Sequence, residues 1–151
     1  VIGMLGRCPE AEDVGQETFI RFYKSMSKFR GESSLSTYLT RIAMNLSINE
    51  LNRRKRQSRF MPLDDLEISR KTSGDPGNQA DSESGAIIRR AVAQLAPKFR
   101  STIVLRLIEG YSTEETTQIL QLPVGTVLSR LARAKDQLIN LLTPYRSYYE
   151  N

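Results

Sequence analysis

The strongest constraint on the fold is a pattern over residues 110–142 that fits two helices joined by a tight turn. Ser112 and Glu115 have the spacing of a capping box, in which the serine caps a helix and the glutamate bonds back to it. A turn follows at 121–123, because proline there interrupts the helical pattern. Apolar residues then recur at alternating spacings of four and three, at Val127, Leu131, Ala134, Leu138 and Leu141. The pattern predicts a helix-turn-helix.

The remainder of the chain also has helical periodicity, and no stretch shows convincing strand alternation. Helices are predicted over 11–27 and 35–56, and helical periodicity resumes over 86–95 and 97–110. The expected fold is therefore all-α, with two small helical domains joined by a flexible linker, the C-terminal one carrying the helix-turn-helix.

Two apolar lines are expected to form the core of the first domain. In its first helix the line is Val14, Phe19, Phe22 and Met26. In its second helix the line is Leu35, Tyr38, Leu39, Ile42, Leu46 and Leu51. Both lines predict amphipathic helices whose apolar faces pack together.

Charge and turn-forming residues divide the chain. Residues 1–60 carry 11 Lys and Arg against 6 Asp and Glu, whereas residues 61–85 carry 2 against 6 and residues 86–151 carry 9 against 5. The expected domains are therefore 1–57 and 86–143, with a flexible acidic linker at 58–85 and a tail at 144–151. Two basic bodies suit a polyanion that is contacted at two places.

Composition excludes several classes of function. The chain has no histidine and one cysteine, Cys8, which removes Ser-His and Cys-His catalysis, an internal disulfide and a structural zinc site. No apolar run is long enough to cross a bilayer. We expect a cytoplasmic protein with no catalytic residue, no metal, no cofactor, no small-molecule substrate and no membrane insertion.

The second helix of the helix-turn-helix is the expected DNA reader. Such a helix fits the major groove, where side chains near its start reach base edges and flanking cations reach phosphates. The outward positions are Thr126, Leu128, Ser129, Ala132 and Arg133, with Arg130 and Lys135 beside them.

The order of motifs resembles the extracytoplasmic-function (ECF) sigma factors of the sigma-70 family. Residues 122–134, LPVGTVLSRLARA, are similar to the family's promoter-binding helix-turn-helix, and residues 105–115 are similar to the region before it. Residues 11–19, AEDVGQETF, resemble its polymerase-binding helix. Residues 29–32 and 37–45 resemble its −10 recognition segment.

This resemblance implies roles for individual residues. The −10 contacts would be Phe29, Asn45, Asn49, Arg53, Arg54, Lys55 and Arg56, with Asn45 reading a flipped base. The −35 contacts would be Arg106, Thr126, Leu128, Ser129, Arg130, Ala132, Arg133 and Lys135. The polymerase contacts would be Asp13, Gln16 and Glu17.

The resemblance also implies partners, and this sequence departs from the family's pattern at several positions. The partners are core RNA polymerase, promoter DNA and an anti-sigma factor. The family has a bulky aliphatic residue at the position of Gly15. It commonly has tryptophan at the position of Tyr38, and often a basic residue at the position of Leu128. It also has another helix before the point where this chain begins, so the start of the N-terminal domain is expected to be absent.

Three alternatives remain open at this point. The helix-turn-helix alone fits a repressor or activator that acts without polymerase. A degenerate sigma-like protein that only regulates others fits the departures. A carboxylate-dependent nuclease is disfavoured, because Glu114 and Glu115 are adjacent on a helix and so point apart.

Overall fold

The computed structural model of the chain describes residues 1–60 and 83–148, and all of their regular structure is helical. This confirms the all-α prediction. Seven α-helices follow one another: α1 Ile2–Leu5, α2 Pro9–Ser25, α3 Leu35–Phe60, α4 Glu83–Gln94, α5 Pro97–Ile103, α6 Thr113–Leu120 and α7 Val124–Leu142. Short 3-10 stretches cover Met26–Lys28 and Thr143–Tyr148. A π-helical turn, Val104–Ile108, continues α5.

The helix ends follow local signals in the sequence. Pro9 and Pro97 occupy first-turn positions, where the missing N–H costs nothing. Ser34 caps α3, since its Oγ accepts from the Thr37 N–H at 3.1 Å. Helix α3 continues to Phe60 and α4 begins at Glu83, so both extend into the range expected to be linker. The rest of the expected linker lies outside the described residues.

The N-terminal module, α1 to α3, has a core that differs from the two predicted apolar lines. Phe19, Met26 and Leu35 are each more than half exposed, so these core predictions were wrong. Smaller side chains of α2 and α3 are buried instead, including Thr18 and Ser47. Phe19 instead lines a cavity of about 230 Å³ between α2, α3 and the C-terminal module, together with Thr18 and Ala43.

The hydroxyls in this core bond within their own helices. Thr18 Oγ1 donates to the Val14 carbonyl at 2.6 Å, and Ser47 Oγ donates to the Ala43 carbonyl at 2.8 Å. Each buried hydroxyl is therefore satisfied without a partner on the neighbouring helix.

The C-terminal module, α4 to α7, buries the predicted seam. Val127, Leu131 and Ala134 of α7 are buried. Leu131 and Ala134 belong to one cluster with Ile119 and Leu105, which are fully buried. The branched side chains fill the space between the helices in the usual way for a helical core.

The two modules also pack on each other. Buried residues of both belong to one hydrophobic cluster, in which Met4 and Leu51 join Phe99 and Val104. Gly3 lies so close to Val104 that a Cβ at this glycine would fall 2.9 Å from a Val104 methyl group. Helix α3 is therefore covered by α2 and by the C-terminal module along part of its surface, and the rest of its surface is exposed.

Candidate nucleic-acid interface

A row of polar side chains lies along the exposed surface of α3. Residues three or four apart lie side by side on a helix. This register aligns six residues, which we call the α3 stripe: Tyr38, Arg41, Asn45, Asn49, Asn52 and Arg56. Asn45, Asn49, Asn52 and Arg56 are exposed, and the stripe contains no carboxylate. It offers amides that both donate and accept hydrogen bonds, together with cations.

The basic end of α3 is less uniform than its sequence indicates. Arg53 makes two hydrogen bonds of 2.8 Å to Glu50, and Arg54 Nε makes one of 3.0 Å. Arg54 also reaches Cys8 Sγ at 3.2 Å and a Glu10 oxygen at 3.5 Å. These two predicted phosphate contacts are thus already paired within the chain, whereas the predicted contacts Lys55 and Arg56 are exposed.

Glu50 responds to this pairing. The hydrogen bond from Arg53, joined by that from Arg54, lowers the pKa of the Glu50 carboxyl although burial opposes the shift. Glu50 therefore remains a carboxylate and holds both guanidinium groups near the start of the basic end.

Three aromatic rings connect the turn before α3 to the stripe. The Tyr38 ring lies 5.1 Å from the Phe29 ring and 6.2 Å from the Phe22 ring, centroid to centroid. The Tyr38 hydroxyl donates to Ser25 Oγ at 2.9 Å. Phe29, a predicted −10 contact, is half-buried in this cluster. Its ring therefore has a packing role against Tyr38.

Helix α2 carries the predicted polymerase contacts. Asp13 and Gln16 are exposed, and Glu17 is half-buried with an ion pair of 2.7 Å to Arg21. Large apolar side chains on the same helix are exposed as well: Phe19, Ile20 and Tyr23. An exposed group of this kind is typical of a surface that binds another protein.

The helix-turn-helix consists of α6 and α7. Both halves of the capping box are present, at 3.0 Å from the Glu115 N–H to Ser112 Oγ and 2.8 Å from the Ser112 N–H to the Glu115 carboxylate. Gln121 ends α6 in the left-handed conformation, at φ 53°. This turn sets the angle at which α7 leaves, so the capping signal and the turn together position the reading helix.

The outer face of α7 carries the predicted −35 contacts. Leu128, Ser129, Ala132, Arg133 and Lys135 are exposed, and Thr126 and Arg130 are half-buried. The buried seam on the opposite side keeps this face outward. It combines apolar, hydroxyl and cationic groups within the first three turns.

Arg106 is placed differently from the rest of the −35 set. Its Nη1 donates to the Tyr111 carbonyl, and its Nε is buried. The side chain thus closes the loop before α6, which gives it a structural role inside the module.

A cleft between the modules brings parts of both faces together. Asn45, Asn52 and Lys55 of α3 line it from one side, and Lys98 and Arg130 line it from the other. Its volume is about 350 Å³. The two candidate DNA-binding faces thus meet at their edges in this conformation.

Tyr111, which no sequence motif singled out, connects the C-terminal module to α3. The Tyr111 hydroxyl lies 2.7 Å from Thr40 Oγ1 and 3.2 Å from Ser36 Oγ on α3. Residues so distant in sequence give no local signal of such a contact.

No group of three or more His, Cys, Asp or Glu residues in the described ranges could hold a metal ion. Within 1–60 and 83–148, no helix is both long enough and apolar enough to cross a membrane.

Comparisons with known families match both modules in the expected order. The family model described as Sigma-70 region 2 matches residues 2–57, and that described as Sigma-70, region 4 matches residues 85–138.

Curated relatives of the chain are named as RNA polymerase sigma factors. The chain is 36% identical over 143 residues to the ECF RNA polymerase sigma-E factor of Salmonella typhimurium, covering 89% of this chain and 75% of the relative. The sigma-E factor of Escherichia coli K12 gives the same identity and coverage. The chain is 34% identical over 160 residues to the RNA polymerase sigma-H factor of Pseudomonas aeruginosa, covering 95% and 81%.

Solved structures match over both modules. The sigma factor RpoE of Bartonella quintana, in complex with the anti-sigma factor NepR, superposes with a TM-score of 0.71 at 24% identity, over 94% of this chain and 86% of that chain. CnrH, in complex with the cytosolic domain of CnrY, gives 0.61 at 25% identity, over 94% and 77%.

Proposed function

The chain belongs to the extracytoplasmic-function group of the sigma-70 family. On this premise we propose that it binds core RNA polymerase and directs promoter-specific initiation, by recognising −35 and −10 elements and helping to melt the DNA. The observation that carries the proposal is the pair of separate polar faces, the α3 stripe and the outer face of α7, on modules that match the two DNA-binding regions in order.

The α3 stripe is assigned to the −10 element. Extracting a base from the duplex costs a few kcal/mol, which contacts to the unpaired base and its backbone must offset. The Asn45 amide is exposed and can satisfy both a donor and an acceptor on a base edge. Asn49, Lys55 and Arg56 extend the face along the strand, Phe29 borders it, and Arg53 and Arg54 reach phosphates only if they share or leave Glu50.

The outer face of α7 is assigned to the −35 element in the major groove. Arg133 and Ser129 can donate to base edges, and Leu128 offers an apolar contact to a thymine methyl group. Thr126 and Ala132 lie between them, and Arg130 and Lys135 are assigned to phosphates. Arg106 would act indirectly, because its side chain is committed to the loop before α6.

Helix α2 is assigned to core polymerase. Asp13, Gln16 and Glu17 supply polar contacts, and the exposed Phe19 and Tyr23 supply apolar area. An anti-sigma factor is proposed as a further partner, because the superposed sigma factor RpoE is in complex with the anti-sigma factor NepR.

The remaining assignments follow from this role. The function requires binding and no covalent chemistry, so we assign no catalytic residue and no cofactor. The site of action is the cytoplasm, where transcription takes place. The working division of the chain is 1–57 for the −10 module, 58–85 for the linker, 86–143 for the −35 module and 144–151 for the tail.

The test is run-off transcription with bacterial core polymerase and fragmented DNA from the source genome. Discrete transcripts that require this protein, and that disappear with Asn45→Ala, are the expected result. Binding to polymerase without transcripts would instead indicate a regulator. DNA binding with no polymerase binding would indicate a helix-turn-helix regulator that acts alone, and would refute the proposal.

A further inference from the structure

The cleft between the two modules collects positive charge from both of them. Lys55 on α3, Lys98 on α5 and Arg130 on α7 all line it, so three cations from three helices surround one space. No Asp or Glu is among the residues of the described ranges that line this cleft. Charges of one sign that line a cleft raise its electrostatic potential, and this cleft therefore attracts anions.

The α3 wall of the cleft adds groups that suit a nucleobase. It consists of residues spaced three or four apart, which lie side by side on a helix: Asn45, Ile48, Asn52 and Lys55. The two asparagine amides donate and accept hydrogen bonds, as the edge of a base also does. Ile48 and, from the C-terminal module, Leu122 add apolar surface for the flat face of a ring.

The cleft has the size of a small-molecule site. Its volume is about 350 Å³, and ligand pockets in proteins span roughly 300–1,000 Å³. The Lys98 ammonium lies 4.9 Å from the ring centroid of Phe99, which is buried. This cation–π contact restricts the lysine, so less conformational freedom is lost when it binds a ligand.

Cations, amides and apolar surface within one cleft match a nucleotide that carries a chain of phosphates. We propose that the cleft binds a nucleoside polyphosphate, with the phosphates on Lys55, Lys98 and Arg130 and the base against the α3 amides. A ligand that contacts both modules stabilises the arrangement in which they pack together, because only that arrangement offers it all of these contacts.

A nucleotide in the cleft competes with promoter DNA. Asn45 and Lys55 are proposed −10 contacts, and Arg130 is a proposed −35 contact, so nucleotide and promoter cannot use them at the same time. Lys98 is different, because it is not among the proposed DNA contacts. Binding of the nucleotide does not depend on the proposed function, whereas its competition with the promoter rests on that function.

The experiment is isothermal titration calorimetry of the full chain with ATP at a fixed salt concentration. Lys98→Gln is expected to weaken ATP binding about tenfold, as for loss of a charge-assisted contact. Arg90→Gln is the matched control, because Arg90 is exposed on α4, does not line the cleft and changes the net charge equally. It should bind ATP as tightly as the wild type. Both replaced side chains are exposed, so both variants should keep the fold.

Two further ligands test the two halves of the site. Inorganic tripolyphosphate lacks the base and should bind more weakly than ATP, and adenosine lacks the phosphates and should show no binding. Tripolyphosphate that binds as tightly as ATP would overturn the nucleotide assignment. No ATP binding by the wild type, or an equal loss in Lys98→Gln and Arg90→Gln, would overturn the site itself.

The reconstituted holoenzyme separates this inference from the proposed function. ATP should displace a fluorescent promoter duplex from the wild-type holoenzyme, and Lys98→Gln should bind the duplex normally but resist displacement. If the holoenzyme binds the promoter and ATP displaces it equally from both, the inference fails and the proposed function stands. If ATP binding depends on Lys98 but the chain does not bind core polymerase, the site stands and the proposed function fails.

Discussion

The two modules divide their large apolar side chains differently between core and surface. In the C-terminal module, branched residues such as Ile119, Val127 and Leu131 are buried. In the N-terminal module, Met44 and Leu51 are buried beside small residues such as Ser47, while Phe19 and Tyr23 remain at the surface.

The difference indicates how each module divides its apolar residues between fold and partner. The helix-turn-helix uses its branched side chains for its own stability and presents a polar face to DNA. Helix α2 keeps its large side chains outside, where a partner can cover them. Four predictions test this contrast, from the largest expected effect to the smallest.

Ile119→Ala should have the largest effect. Ile119 is fully buried, so truncation removes burial and leaves a cavity, which costs about 2–5 kcal/mol in the free energy of unfolding. Phe19→Ala, in contrast, removes a side chain that is 64% exposed and should change stability by less than about 0.5 kcal/mol. Urea denaturation of both variants measures the contrast, and equal losses would contradict it.

Ser47→Leu should destabilise the N-terminal module by overpacking. Ser47 is fully buried on α3, and extra volume in a packed core costs about 1–3 kcal/mol. Ser47→Ala is the control and should be close to neutral, because the hydroxyl bonds only to its own helix. A Ser47→Leu protein as stable as the wild type would mean that the helices are not close-packed here.

Two glycines should respond to alanine in opposite directions. A Cβ at Gly15 meets nothing within 4 Å, so Gly15→Ala should stabilise the protein by about 0.8–1.0 kcal/mol through helix propensity. Gly3→Ala should destabilise it, because its Cβ would press on Val104. Thermal unfolding monitored by circular dichroism gives both signs. A stabilising Gly3→Ala would contradict the packing of α1 on the C-terminal module.

Glu50→Gln should have the smallest effect and a defined pH dependence. The pKa of Glu50 is lowered in the folded protein, so its stabilising contribution is present above its ordinary pKa of 4.5 and is lost as pH falls through the folded value. Because Arg53 is nearly half exposed, the contribution should stay below about 1 kcal/mol. Denaturation at pH 7 and at acidic pH should show the wild-type advantage only at pH 7; an advantage that persists in acid would contradict the assignment.

The sequence predicted best where the signals were local. The capping box, the turn at Gln121 and the seam from Val127 to Ala134 depend on residues close together in the chain, and all are present in the fold. The fold class and the family followed from these signals and their order.

Contacts between residues that are distant in the sequence could not be predicted from local signals. The pairing of Arg54 with Cys8 and the bond from Tyr111 to Thr40 depend on how distant segments meet. The hydrophobic pattern placed Phe19 in the core, whereas its side chain is exposed and lines a cavity between α2, α3 and the C-terminal module. The individual DNA contacts stay predictions.

The central claim is that α3 melts and reads the −10 element while α7 binds the −35 element. Permanganate footprinting, on a promoter recovered by run-off transcription, tests it most directly, because permanganate reacts with unpaired thymines. With Asn45→Ala, we predict that thymine reactivity at −10 falls at least about tenfold, as for loss of one base contact, while protection at −35 remains. With Arg133→Ala, protection at −35 should weaken first. An Asn45→Ala holoenzyme that opens the promoter as well as the wild type would contradict the account.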